Sequence, residues 1–152
     1  MVVYRLARKK HPEYLSGKGA ALFGARWNSA GTEMIYTAQN RSLAMAEVAV
    51  HLTLATLPND YLMVSVFIPD EIQIKDLPLD VLPEDWNSFP HPTSTQRIGD
   101  EFVRANEFCL LRVPSAVTKG DFNILINPNH VDFHRIEIHF IEDFPFDYRI
   151  FK

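Results

Sequence analysis

Glu47 is the residue in this sequence whose position most needs a chemical explanation. It lies within Arg41 to Leu57, where Leu43, Val50, Leu54 and Leu57 recur at helical spacing and Pro58-Asn59 ends the run. At about 100° per residue, Glu47 falls roughly 40° from Leu43, which places a carboxylate on the side of the helix that should be buried. A buried carboxylate needs a partner, and Arg26 is a cation able to supply one as a structural ion pair. The alternative is a carboxylate that lines a cleft, where burial and a nearby cation tune it for work on a substrate. Spacing alone favours the ion pair, and periodicity does not decide between the two.

Other signals carry less. His130, His134 and His139 are spaced like metal ligands, but no cysteine cluster or HExxH motif accompanies them, so no metal site is expected. Gly17-Lys18-Gly19 lacks the spacing of a phosphate loop and reads as a turn. Cys109, the single cysteine, sits in the apolar run Phe108-Cys109-Leu110-Leu111 and reads as a small core residue.

The elements that must position Glu47 follow from pattern. Val2 to Ala7 reads as a strand, and Lys9 to Gly31, with four of the six glycines, as an irregular loop of functional length. Met34 to Ala38 is β-prone and carries Tyr36 out of that loop, and Asn40 or Ser42 is placed to cap the helix that runs to Leu57. Tyr61 to Ile68 resembles a strand covered on both faces, and Ile72 to Leu77 suggests another. Four of the ten prolines fall between Pro78 and Pro92, together with Trp86 and His91, which predicts an extended surface connection or lid. Ser94 to Asn106 reads as a second helix with Ile98, Phe102 and Val103 on its apolar face, and Phe108 to Val113, Asn123 to Ile126, Ile136 to Ile141 and Tyr148 to Phe151 as strands. Numerous strands with two clear helices that do not alternate with them predict an α+β fold, a split and mostly antiparallel central sheet flanked by helices, in one domain spanning residues 1–152.

Composition narrows the classes of function. A chain of 152 residues that is 47% hydrophobic suits one globular domain. Fifteen Lys and Arg against nineteen Asp and Glu give a net charge of -4, so no broad field gathers a polyanion and direct nucleic-acid binding is not expected. The N-terminus lacks the regions of a signal peptide, and the longest apolar stretch, Leu43 to Leu57, is interrupted by Glu47 and His51 and falls short of the ~20 residues a membrane span needs. A cytoplasmic protein without a membrane partner is the expectation.

Several motifs standing in order carry a family resemblance over nearly the whole chain. Tyr4-Arg5-Leu6 is followed by Gly24-Ala25-Arg26-Trp27-Asn28, Ile35-Tyr36-Thr37, and Leu43-Ala44 with Glu47 and His51; then come Val113-Pro114-Ser115-Ala116-Val117 and Asn127-Pro128 with His130. This series resembles the RES family, named for an Arg, a Glu and a Ser that map onto Arg26, Glu47 and Ser115, with Tyr36 matching an accompanying aromatic residue. Ala25 departs from the second glycine usual in that loop, and Ala38 from the commoner serine.

The resemblance implies an ADP-ribosyltransferase-like fold and the toxin of a bacterial toxin–antitoxin pair that depletes NAD⁺ by cleaving its nicotinamide–ribose bond, as a glycohydrolase or phosphorylase. NAD⁺ is then a substrate, and no permanently bound cofactor is implied. On this reading Glu47 is the anion that stabilises positive charge developing on ribose. Arg26 offers its planar fork to the pyrophosphate or to a carboxylate, Tyr36 stacks on nicotinamide, and Ser115 hydrogen-bonds the ribose or the nicotinamide amide without acting as a nucleophile. His51, Asn28 and Asn127 are candidates for supporting contacts, with His51 better placed at the edge of the core. An Xre-like antitoxin covering the active site is the implied protein partner, and the complex leaves room for a homodimer. The competing functions are a mono-ADP-ribosyltransferase acting on a protein target and a non-catalytic protein-binding domain in which Arg26 and Glu47 are only a structural pair.

Overall fold

The computed structural model describes residues 1–151. Its framework is a seven-stranded sheet in the order β4-β5-β6-β2-β1-β3-β7, formed by β1 (Val2–Arg8), β2 (Ile35–Ala38), β3 (Tyr61–Phe67), β4 (Ile74–Asp76), β5 (Leu110–Pro114), β6 (Phe122–Ile126) and β7 (Glu137–Asp143). Every neighbouring pair is antiparallel except β4 and β5. The helices are α1 (Lys18–Phe23), α2 (Arg41–Ala49) and α3 (Thr93–Ala105). The α+β class and the mostly antiparallel sheet are as the sequence pattern predicts.

The split lies between β1 and β2, which share one register pair, Tyr4 with Ala38, whereas β1 and β3 are paired along their whole length. On one face of the sheet the two halves have separate cores. Leu6, Ala38 and Met63 pack under Leu43 and Ala44 of α2, while Leu111, Val113 and Leu125 pack with Trp27, Met34 and Phe102 of α3. Tyr36 and Ala38, two residues apart on β2 and therefore on the same face, belong one to each core, so β2 underlies the seam between α2 and α3. The opposite face carries a continuous aliphatic core that includes Val3, Ile35, Val64, Val66, Leu110, Ile124 and Ile126.

Three local readings are corrected. Helix α2 stops at Ala49, and Thr53 with Thr56 forms a capping box that starts a separate 3₁₀ turn at Leu54–Thr56, so Val50 and Leu54 are exposed and the apolar stripe is shorter than its spacing suggests. Tyr148–Phe151 is a 3₁₀ turn; Phe151 joins a side cluster with Phe144 and Phe146 on the core beneath α2, so its aromatic content reflects packing onto a surface instead of sheet pairing. The loop from Lys9 to Gly31 contains α1, six residues with no buried side chain and hence no periodicity to read.

Arg5 stands out within β1. Its Nε and Nη1 are shut off from solvent and have no hydrogen-bond partner among the described residues, and burial of the head group lowers its pKa to about 10. An unpaired buried cation lowers stability, so Arg5→Met, which keeps the length of the side chain and removes the charge, should stabilise the fold by about 1–4 kcal/mol. Thermal unfolding checks this: the variant should melt several degrees above the parent.

Candidate functional site

Asn40, extended in backbone, accepts a hydrogen bond from the Leu43 amide at 2.8 Å and so fixes where α2 begins. Leu43 and Ala44 anchor the first turn in the core, and Glu47 follows one turn later at the seam, half-buried. Its Oε1 accepts a hydrogen bond of 2.8 Å from the Ser115 hydroxyl. Ser115, buried just beyond the end of β5, has that oxygen held in turn by the amides of Val117 and Thr118, each donating at 3.0 Å. The hydroxyl has one proton, given to Glu47, and two lone pairs, given to the backbone. It is therefore a clamp for the carboxylate and has no proton left for a substrate. Among the described residues, Oε2 of Glu47 has no hydrogen-bond partner.

Arg26 projects from a tight turn in which Ala25 and Asn28 form an antiparallel bridge. Its Nη1 donates to the carbonyls of Trp86, at 2.7 Å, and Ser88, at 2.9 Å, which belong to the proline-rich connection. That connection is consequently strapped to the site loop, and the Trp27 and Trp86 rings, one from each, lie 6.4 Å apart. Glu47 and Arg26 do not form the ion pair favoured by spacing. They sense each other at longer range: burial lowers the Arg26 pKa and the Glu47 charge opposes that shift. Carboxylate and guanidinium are near enough for their charges to interact, with each held by neutral groups of the protein.

Tyr36 leaves β2 beneath this region. Its hydroxyl donates to Oδ1 of Asn28 at 2.6 Å and accepts from the Trp27 amide at 3.0 Å, and burial holds the phenol well above its ordinary pKa, so it remains a donor at neutral pH. The ring, rather than the hydroxyl, is thus the part left for stacking. Asn28, fully buried, also donates to the carbonyls of Ala20, Ser29 and Thr32 and ties the loop together. His51 is exposed and not at the core edge, because α2 has already ended; its ring lies 5.9 Å from Phe89 of the proline-rich strap. Asn127 is not part of this group. Its side chain joins Asn106 and the Asn129 amide, closing the turn after β6.

Two residues that hold the site loop, Gln96 and Asp100, carry no signal in the sequence. Gln96 and Asp100 are ordinary polar helix residues whose partners lie about 70 positions away. Among the described residues no group of His, Cys, Asp and Glu is arranged to hold a metal ion.

A family model described as the RES domain matches residues 2–149. Over 155 aligned residues the chain is 39% identical to Toxin Res of Photorhabdus laumondii, an alignment that covers 100% of this chain and 98% of that protein. It is 32% identical over 148 residues to the Prs ADP-ribosylating toxin of a Sphingobium strain, covering 96% and 92% of the two chains. Among solved structures, a chain in the crystal structure of the M. tuberculosis MbcT-MbcA toxin-antitoxin complex matches 94% of this chain and 83% of its own length, with a TM-score of 0.78 and 22% identity, a likeness of fold. With a family model spanning nearly the whole sequence and relatives above 30% identity along almost their full length, the chain belongs to the RES domain family.

Proposed function

We propose that this protein is the toxin of a bacterial toxin–antitoxin pair and acts by cleaving the nicotinamide–ribose bond of NAD⁺. The observation that carries the reading is the clamped carboxylate: Glu47 is held through one oxygen by Ser115, keeps the other free of partners among the described residues, and lies within electrostatic reach of a guanidinium with which it does not pair. A structural ion pair would instead join the carboxylate directly to the Arg26 guanidinium.

Cleavage of the glycosidic bond leaves positive charge on the ribose as nicotinamide departs as a neutral ring, so the step needs an anion beside the sugar and no general acid. Glu47 supplies that anion through Oε2. Its orientation is set before substrate arrives, which is what makes a fixed charge effective in the transition state. Arg26 offers Nε and Nη2, which bond to nothing among the described residues, to the pyrophosphate, and the Tyr36 ring supports the nicotinamide. The acceptor is water or phosphate. Transfer to a protein side chain is a second reading, favoured by the name of the Sphingobium relative, which is an ADP-ribosylating toxin. NAD⁺ labelled in its ADP-ribose part separates the three, since the label ends as free ADP-ribose, its 1-phosphate or a modified macromolecule.

The RES family is also the ground for a protein partner, and the related fold in a toxin-antitoxin complex supports it. In our reading an Xre-like antitoxin covers the site in the cytoplasm; no helix among the described residues is long and apolar enough to cross a membrane. A co-purified complex should release nicotinamide at least tenfold more slowly than the isolated protein, and equal rates would exclude occlusion of the site.

Glu47→Gln should reduce nicotinamide release by about 10²–10³-fold. Because no ion pair is lost, its melting temperature should stay within a few degrees of the parent, measured on the same preparation. Ser115→Ala should act more mildly on catalysis, lowering kcat about tenfold, since Glu47 remains but loses one charge-assisted hydrogen bond. It should also melt earlier than Glu47→Gln, because the Val117 and Thr118 amides lose their acceptor.

A further inference from the structure

We infer that Gln96 and Asp100 of α3, with Gly99 between them, are positioning residues that aim Arg26 at its anion. The inference rests on the proposed binding of NAD⁺ for its kinetic consequence and on geometry alone for the positioning itself.

Residues 96, 99 and 100 are spaced by three and four positions and so share one face of α3. That face grips the turn bearing Arg26 at every position except Arg26. The Gln96 amide donates from Nε2 to the carbonyl of Ala25 and to that of Asn28, both at 3.1 Å. Asp100 accepts from the Ser29 amide at 2.9 Å and from the Ser29 hydroxyl at 2.5 Å. Between them the helix backbone lies directly on the Trp27 peptide: a Cβ added at Gly99 would fall 1.5 Å from the Trp27 carbonyl oxygen, so no side chain fits there. Ala25, Trp27, Asn28 and Ser29 are thereby fixed to one helix, and the side chain of Arg26 is the one left to project.

The same helix anchors the far end of the guanidinium. Its N-cap is Pro92, and the chain leading into it presents the Trp86 and Ser88 carbonyls that take Nη1. Base and tip of the Arg26 side chain are therefore both referred to α3, and two of its three nitrogens remain directed elsewhere. A flexible arginine loses considerable rotamer freedom on binding an anion, and fixing it beforehand lowers that cost. The two residues act through Arg26 and touch no substrate.

The test uses the full chain and its variants at Gln96, Asp100 and Arg26. Gln96→Glu is nearly isosteric but points an oxygen at two carbonyls; Asp100→Asn keeps an acceptor for the Ser29 amide and gains a donor for its hydroxyl, and serves as the conservative control. With NAD⁺ as the probe, Gln96→Glu and Asp100→Ala, which removes both acceptors for Ser29, should each raise KM about tenfold with kcat changed less than twofold, whereas Asp100→Asn should recover most of that loss. In an Arg26→Lys background Gln96→Glu should add less than a further twofold, the non-additivity expected of residues that act as one unit. Hydrogen exchange without nucleotide gives a readout that does not depend on the reaction: the amides of Ala25, Trp27 and Ser29 should exchange at least tenfold faster in Gln96→Glu, and the Arg26 Nε–H resonance should shift. A parent that releases no nicotinamide would refute the NAD⁺ reading and leave the positioning to be decided by exchange. Unchanged exchange, a fall in kcat at constant KM, or effects of Gln96→Glu and Arg26→Lys that simply add would overturn it.

Discussion

The hydrogen bond from Ser115 to Glu47 joins the loop after β5 to helix α2 across 68 residues of sequence, and the arrangement of the seam depends on it. Neither partner is free to exchange it. The serine oxygen is saturated by two backbone amides, and the carboxylate stands on a helix whose first turn is locked by an asparagine cap and two buried side chains. A carboxylate at a half-buried position would otherwise turn toward water or toward the nearest cation. Here the orientation is decided by a neutral donor, so the charge is kept and its direction fixed.

The rest of the seam repeats this logic with other groups. Arg26 is held by carbonyls and not by Glu47, and Tyr36 is held through its hydroxyl so that its ring stands in place. Pairing the two charges would have satisfied both, and would have left the site nothing with which to attract a ligand. Holding each by neutral dipoles keeps a cation and an anion available side by side. Separate cores on the two halves of the sheet make this feasible, because α2 and α3 each complete their own packing on either side of β2.

How much of this was legible depends on the range of the interaction. Strands β1, β2, β3, β5 and β6 follow from local apolar runs, and the carboxylate on α2 follows from helical spacing, because both are properties of neighbouring residues. The length of α2 was overread: Val50 and Leu54 continue the spacing of Leu43 but lie on the surface, since periodicity reports which side a residue would face if the helix went on. The partner of Arg26 was not readable at all. Main-chain carbonyls carry no sequence signature, and those of Trp86 and Ser88 are brought to Arg26 by a connection known in advance only as rich in proline. Ser115 could be marked by its family motif, yet its task of holding Glu47 is set by a contact between elements that no local pattern describes.

The strap leaves an optical trace. The chain has two tryptophans, and they are the two that flank Arg26, Trp27 on the gripped turn and Trp86 on the strap, with ring centroids 6.4 Å apart and planes inclined by 33°. Indoles at that separation couple their electronic transitions, so their near-ultraviolet circular dichroism and emission report the distance between turn and strap with no label and no competing tryptophan elsewhere. The protein thus carries its own spectroscopic ruler across the mouth of the site.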